Sequence, residues 1–263
     1  MTQSWKNFLH VEQAGPIVSV LLHRPERRNA LTRAMWVALR ELVEDLDARR
    51  DVRLTVLASS TPGIFSSGAD VKEYRDHVSD PDWTEESRRV AIATMDAVAD
   101  MSVPTLAVID GACSGGGVGL AVSCDMRIAT PRSTFAVKAA RLGTVYPFSG
   151  TLSLVDLVGT GNAKRMLFTG ATFDAGEAAA MGLVDEIVEE SRVEAAVDTL
   201  ADALAATSRT SVRLMKRTIR LVASGQRTPD DVTDALVREA LHSKDYHEGV
   251  SAFLERRPPA FED

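Results

Sequence analysis

The sequence predicts an α/β protein in which helices cover a largely parallel sheet. Three observations carry this. Short apolar, β-rich runs recur up to Val137, segments with apolar residues at helical spacing lie between them, and the loops that follow the runs are rich in Gly and Ser. With 263 residues the chain can bury a sizeable core, and the expected organisation is one main domain, residues 1–205, with a C-terminal helical region, residues 206–263.

Ile17 to His23 is the first β-rich run, and Arg24-Pro25 ends it. Thr32 can cap the next segment, where Met35, Leu39, Leu42, Val43 and Leu46 mark an amphipathic helix. Leu54 to Ala58 is a second strand, followed by the loop Ser59 to Asp70. The order then repeats. Glu86 to Met101 reads as helix, Pro104 to Ile109 as strand, Gly111 to Gly117 as a tight turn, and Val118 to Ser123 as the start of another helix. Met126 to Ala129 and Phe135 to Val137 read as strands. From Thr151 the pattern is mostly helical, including Val193 to Ala206, Ser211 to Val222 and Pro229 to His242. Tyr74 to Glu86 reads as a loop, placed to cover a pocket. Alternation of this kind puts ligand loops at the carboxyl ends of the strands.

Composition narrows the function classes. A formal net charge of -7 and a pI near 5.3 argue against a broad nucleic-acid footprint, which needs clustered cations on one face. The longest apolar stretches, such as Ile17 to Leu22 and Thr105 to Ile109, are strand-length, so no membrane partner is expected. The first seven residues carry no apolar h-region, and cytoplasmic residence is the default expectation. Cys113 and Cys124 form neither a CxxC pair nor part of a metal-ligand pattern, so no disulfide and no metal are expected.

Chemistry is concentrated in two segments. Gly111-Ala-Cys-Ser-Gly-Gly-Gly-Val-Gly119 follows a predicted strand and opens a predicted helix. Residues without Cβ let a ligand approach the backbone, and free N–H groups there favour an oxygen carrying negative charge. A tight strand-to-helix turn alone would also account for the glycines. Gly111-Ala-Cys113-Ser-Gly115 can be read as a nucleophile elbow with His242 and Asp185 downstream, but no companion oxyanion segment accompanies it. The run lacks the Lys of a phosphate-binding P-loop. The second segment is Phe65-Ser-Ser-Gly68-Ala69-Asp70-Val71-Lys72-Glu73, again after a predicted strand.

These two segments, with Arg24-Pro-Glu-Arg-Arg-Asn-Ala-Leu31 before them and Gly182-Leu-Val-Asp-Glu-Ile-Val188 after, resemble the crotonase (enoyl-CoA hydratase/isomerase) superfamily over nearly the whole chain. Ser243 to Phe261 is similar to that family's closing segment. The resemblance implies a ββα spiral core with a helical trimerisation region, assembled as a homotrimer or a dimer of trimers. It implies an acyl-CoA thioester as substrate, with coenzyme A entering only as part of it and no separate cofactor. The backbone N–H groups of Ala69 and Gly116 would form an oxyanion hole. Arg24, Arg27 or Arg28, Ala30, Asp70, Val71 and Lys72 would border the CoA site, and Phe253 and Arg256 would complete its adenine pocket, lent by a neighbouring subunit.

The sequence also departs from the family. Hydratases use two glutamates at positions that here read Gly119 and Ala139, and neither residue can orient water or deliver a proton. The replacements at hand are Lys138, Arg141, Tyr146, Cys113, Ser114 and Asp70. Ala140 to Tyr146 resembles a stretch of methylmalonyl-CoA decarboxylases in which the Tyr faces the reacting group, although those carry His where this chain has Ala69. Tyr146 is therefore the candidate to contact the acyl group, packing against it being the alternative. His77 is a lesser candidate, and Asp125 reads as structural. The expectation is isomerase or decarboxylase chemistry through a thioester enolate. The rival is a crotonase fold that binds or carries acyl-CoA without turnover.

Overall fold

A computed structural model describes residues 7–261. Met1 to Lys6, within the segment read above for a secretory signal, lie outside the described residues. Two sheets organise the chain. Strands β1 (Leu9–Ala14), β2 (Ile17–Leu22), β3 (Leu54–Ser59), β5 (Thr105–Ile109), β7 (Met126–Ala129) and β10 (Glu186–Ile187) form the larger one, in that order. Strands β4 (Ile64–Ser66), β6 (Ala112–Ser114), β8 (Thr134–Ala136) and β9 (Thr172–Asp174) form the smaller. Among the described residues only β1–β2 and β8–β9 pair antiparallel. The larger sheet is parallel from β2 through β10, as the alternation of strand and helix requires.

The repeating unit is a strand of the large sheet, a strand of the small sheet, and a helix. The first turn runs β3, β4, α2 (Val71–Asp76) and α3 (Pro81–Asp100). The second runs β5, β6 and α4 (Gly116–Val122), and the third β7, β8 and α5 (Phe148–Thr169), which Gly159 interrupts at φ 72°. This is the ββα spiral. Helix α1 (Arg33–Asp47) closes the core with Met35, Trp36, Leu39, Leu42, Val43 and Leu46, and Thr32 caps it by accepting from Met35 N at 3.2 Å. The short helix α6 (Ala175–Ala180) follows β9, and on the other face of the large sheet Val197, Leu200 and Ala201 of α7 (Val193–Ala205) pack against Leu54, Val56, Leu106 and Ile128.

The three corners where the chain passes from one sheet to the other are stacked and joined by Asp110. Its carboxylate accepts from Gly63 N at 2.9 Å, Thr130 Oγ1 at 2.9 Å and Arg132 Nε at 2.7 Å, so one residue touches all three corners. Gly111 makes the middle corner at φ 79°, where a Cβ would lie 1.8 Å from Gly63 O. Burial opposes ionisation of Asp110. The Arg132 guanidinium, Gly63 N–H and Thr130 hydroxyl outweigh it and hold the carboxyl below the ordinary range.

The predicted strands of the large sheet stand within a residue of their observed ends. Elsewhere the structure differs. Residues 112–114, predicted as part of a turn, are a strand, because Cys113 pairs with Phe135 across β6 and β8. Tyr74 to Glu86 is not a loop: α2 ends at Asp76 and α3 begins at Pro81, capped by Asp80 accepting from Trp83 N. Strands β1, β4, β9 and β10 lie in segments too short or too polar for alternation to show, β4 within Ser59 to Asp70, which was expected to be a loop.

Helices α8 (Arg209–Ala223), α9 (Asp231–Leu241) and α10 (Lys244–Glu255) follow. Asp125 ties α8 to the core, accepting from Lys216 Nζ at 2.6 Å and Thr105 N at 2.7 Å, which is the structural role expected of it. No helix among the described residues is long and apolar enough to cross a membrane.

Replacing Asp110 with Ala should lower stability by about 2–4 kcal/mol in urea unfolding, since it strips partners from three corners at once. The wild type holds a native carboxyl pKa below its unfolded value, so this contribution is present above about pH 4 and is lost as pH falls through the native pKa. The difference between wild type and Asp110→Ala should therefore shrink below pH 4.

Candidate active site

The first loop is held by an unpredicted hub. Arg28 and Asn29 both adopt left-handed backbone, at φ 53° and 52°, a conformation that Asn tolerates better than most residues. Asn29 is fully buried, and its amide donates to Ser59 Oγ at 2.7 Å and Phe65 O at 3.1 Å while accepting from Arg24 N at 2.8 Å. Its carbonyl accepts from Ser66 Oγ at 2.8 Å. The loop is thereby laced to β4. Leu31 then bridges to Ala69: Leu31 N donates to Gly68 O at 2.7 Å, and Asp70 N donates to Leu31 O at 3.0 Å. In such a parallel bridge the N–H of the middle residue, Ala69, faces away from its partner.

Arg24 and Asp70 fix the turn from beneath. Arg24 Nη1 donates to Asp70 Oδ2 at 2.6 Å and to Ala30 O at 2.8 Å. The other Asp70 oxygen caps α2, accepting from Lys72 N at 3.0 Å and Glu73 N at 3.3 Å. Burial opposes the charge on Asp70, yet Arg24 and the two backbone N–H groups keep its carboxyl below the usual range. Both side chains, expected to border the CoA site, are occupied in holding Ala69 in place.

The two glycine-bearing segments touch backbone to backbone. Gly68 sits at φ 90°, and a Cβ there would lie 2.7 Å from Ser114 O and 3.2 Å from Gly116 N. A Cβ on Gly117 would meet Ser66 Cβ at 2.9 Å. On Gly116 it would stand 3.7 Å from Ala69 N and 3.2 Å from Trp36 Cζ2. The structure thus brings together Ala69 and Gly116, which sequence position alone holds 47 residues apart. Gly116 opens α4, so its N–H lies in the first helical turn and has no intrahelical acceptor. Among the described residues neither N–H is engaged in a hydrogen bond. Two free donors side by side can stabilise one oxygen that gains negative charge.

The space a carboxylate at position 119 would enter is filled. A Cβ on Gly119 would meet Met95 Sδ at 2.6 Å and the Tyr146 hydroxyl at 3.0 Å. The Tyr146 ring lies over Gly150, whose own Cβ would be 2.9 Å from Tyr146 Cε1, and its hydroxyl donates to Gly115 O at 3.2 Å. Burial of its phenol end, with Cys113 beside it, pushes the Tyr146 pKa up, so the group keeps its proton. Ala139 lies on the short 3-10 turn Ala139–Leu142. Of the other replacements, Arg141 Nε donates to Thr169 O at 3.0 Å, Lys138 is exposed, and Ser114 Oγ donates to Ala136 O at 3.3 Å.

Cys113 is buried within β6 with its thiol pushed up, and Asp185 is paired with Arg127, which removes the nucleophile-elbow reading. His77 stacks on Trp83 at 4.1 Å and its Nδ1 lies 2.9 Å from Glu73 O, inside an aromatic cluster at the α2–α3 junction. Arg28, Val71 and Lys72 are exposed around the turn, and Ala30 is buried. Phe253 and Arg256 lie on and just after α10, where Phe253 is 83% exposed beside Tyr246, Val250, Leu254 and Phe261; no hydrogen bond or ion pair among the described residues joins them to the first loop. Among the described residues no group of three or more His, Cys, Asp or Glu side chains could hold a metal. Asn29, Ser66, Trp36 and Met95 were missed. Asn29 had a signal, an Asn in a Pro-started polar loop; the other three carry none.

The family model for enoyl-CoA hydratase/isomerase matches residues 12–263. A mitochondrial methylglutaconyl-CoA hydratase of Mus musculus is 31% identical over 96% of this chain and 82% of its own. An enoyl-CoA hydratase/isomerase family protein from Hyphomonas neptunium superposes with a TM-score of 0.94 at 37% identity, covering 98% of this chain and 99% of that one. An enoyl-CoA hydratase from Bacillus anthracis does so at 0.88 and 27%, covering 96% and 98%. With the ββα spiral already in place, these matches show that the chain belongs to the enoyl-CoA hydratase/isomerase family.

Proposed function

We propose that this chain binds an acyl-CoA thioester with its carbonyl oxygen between the N–H groups of Ala69 and Gly116, and that it turns the substrate over through an enolate without two-glutamate hydration. The observation that carries the reading is the pair of free donors on interlocked backbone, next to a position 119 whose side-chain space Met95 and Tyr146 occupy. Isomerisation removes a proton from the carbon next to the thioester, and decarboxylation releases CO2 from it; both leave the electron pair delocalised onto that oxygen until a proton is delivered to carbon. Preorganised donors stabilise it, each worth about 3–4 kcal/mol where such donors have been removed from other enzymes.

Arg28 and Lys72, exposed on either side of the turn, are the cations offered to the CoA phosphates, while Arg24 keeps the turn in place. A homotrimer, alone or paired, would cover the apolar residues that α8 to α10 leave exposed, among them Met215, Ile219, Val237, Phe253 and Leu254. Phe253 and Arg256 would then serve a neighbour's adenine pocket. The second reading, an acyl-CoA carrier without turnover, is favoured by one observation: no carboxylate stands at 119 or 139. Turnover of any acyl-CoA excludes it.

Three outcomes are expected. Calorimetry should show acyl-CoAs binding at least about tenfold more tightly than the matched free acids, a gap of about 1.4 kcal/mol, and equal affinities would end the assignment. Crotonyl-CoA hydration, followed by loss of enoyl absorbance at neutral pH, should be slow or absent, because each missing acid-base group forfeits about 10²- to 10⁴-fold. A rate constant on the order of 10² per second would show that other residues supply the proton transfers. Light scattering should give the mass of a trimer or hexamer, and a monomer at micromolar concentration would contradict the shared pocket.

A further inference from the structure

Tyr146 was expected to face the acyl group, but its hydroxyl donates to the carbonyl of Gly115 at 3.2 Å. Gly115 C=O and Gly116 N–H are the two ends of one peptide unit, and in a trans peptide they point in opposite directions. The plane of that unit therefore sets where the Gly116 donor aims. Glycine on both sides leaves the plane little intrinsic preference, and Gly115 itself sits at φ 51°, ψ -112°. Two bonds determine it. Gly119 N donates to Gly115 O at 3.1 Å, as the first turn of α4 dictates, and the Tyr146 hydroxyl takes the remaining lone pair.

We infer that Tyr146 is a positioning residue, holding and polarising the Gly115–Gly116 peptide so that the Gly116 N–H becomes a stronger and better-aimed donor to the substrate oxygen. This rests on the reading of Ala69 and Gly116 as the oxyanion donors. A hydrogen bond accepted at one end of a peptide strengthens the bond donated from the other, by about 10–30% per link in condensed phases. The room for the ring is built into the chain. Side chains at Gly119 or Gly150 would strike it, and the Gly119 Cβ position is only 3.0 Å from the phenol oxygen. A glutamate at 119 and this tyrosine could not share the pocket as it stands. The residue that occupies the lost carboxylate's space thus acts on the donor still present.

The sequence makes the test selective. Its adjacent glycines, Gly115, Gly116 and Gly117, form the chain's only two Gly–Gly peptides, so protein labelled with carbonyl-¹³C and ¹⁵N glycine gives two doubly labelled peptide signals by NMR. In Tyr146→Phe, which keeps the ring and removes the donor, the 115–116 signal should move upfield in both ¹³C and ¹⁵N, with the 116–117 signal moving less. Saturating butyryl-CoA should shift the Gly116 amide proton downfield in the wild type and less in the variant. With a turned-over thioester, kcat should fall at least about tenfold while KM changes by less than about threefold, the split expected when only a transition-state contact weakens. A 115–116 signal superimposable on the wild type's, or an equal butyryl-CoA shift in the two proteins, would overturn the assignment of Tyr146. Absence of any shift on adding butyryl-CoA to the wild type would overturn the oxyanion reading itself, and the Tyr146 assignment with it.

Discussion

The candidate site depends on one contact: the backbone of residues 66–68 lies directly against that of residues 114–117. Side chains cannot mediate an approach in which a Cβ at 68 would stand 2.7 Å from a carbonyl oxygen, so glycine is obligatory there, and its neighbours take their places from it. This contact brings the unbonded N–H groups of Ala69 and Gly116 close together. Donors fixed by backbone need no reorganisation as charge develops, the condition under which electrostatic stabilisation is worth most.

The rest of the fold keeps those two loops in register. Each is a β-strand of the small sheet leading towards a helix, and the spiral repeats this unit so that successive turns lie side by side. Asp110 ties the corners at one end of the small strands, while Asn29, Arg24 and Asp70 fix the loop at the other. Charge is spent on position throughout. Asp70 pairs with the partly buried guanidinium of Arg24 and Asp185 with the buried one of Arg127, while Arg28 and Lys72 stay exposed beside the turn.

Much of this was legible in the sequence, and the reasons differ by element. The central strands of the large sheet, β3 and β5, are buried along most or all of their length, so they read as near-continuous apolar runs with close to their true ends. The three-residue strands of the small sheet were partly invisible, because Ala112–Ser114 has no periodicity to display and its glycine flanks suggest a turn. Ala69 and Gly116 were accessible only through resemblance, since backbone donors leave no side-chain signature. Position makes Tyr146 a candidate to contact the acyl group, and in the structure its hydroxyl donates to the carbonyl of Gly115. Sequence spacing cannot say which of two groups a phenol will meet. Met95 and Trp36 are buried in the core, and that this core reaches position 119 and the Gly116 turn is a tertiary fact.

The central claim is that a thioester carbonyl is polarised between two backbone N–H groups. Isotope-edited infrared spectroscopy of butyryl-CoA carrying ¹³C at the thioester carbonyl tests it most directly, because the stretching frequency reports the strength of hydrogen bonds to that oxygen alone. The account predicts a band at clearly lower frequency in the complex than in free butyryl-CoA. A bound thioester whose carbonyl band coincides with that of the free ligand in water would contradict it.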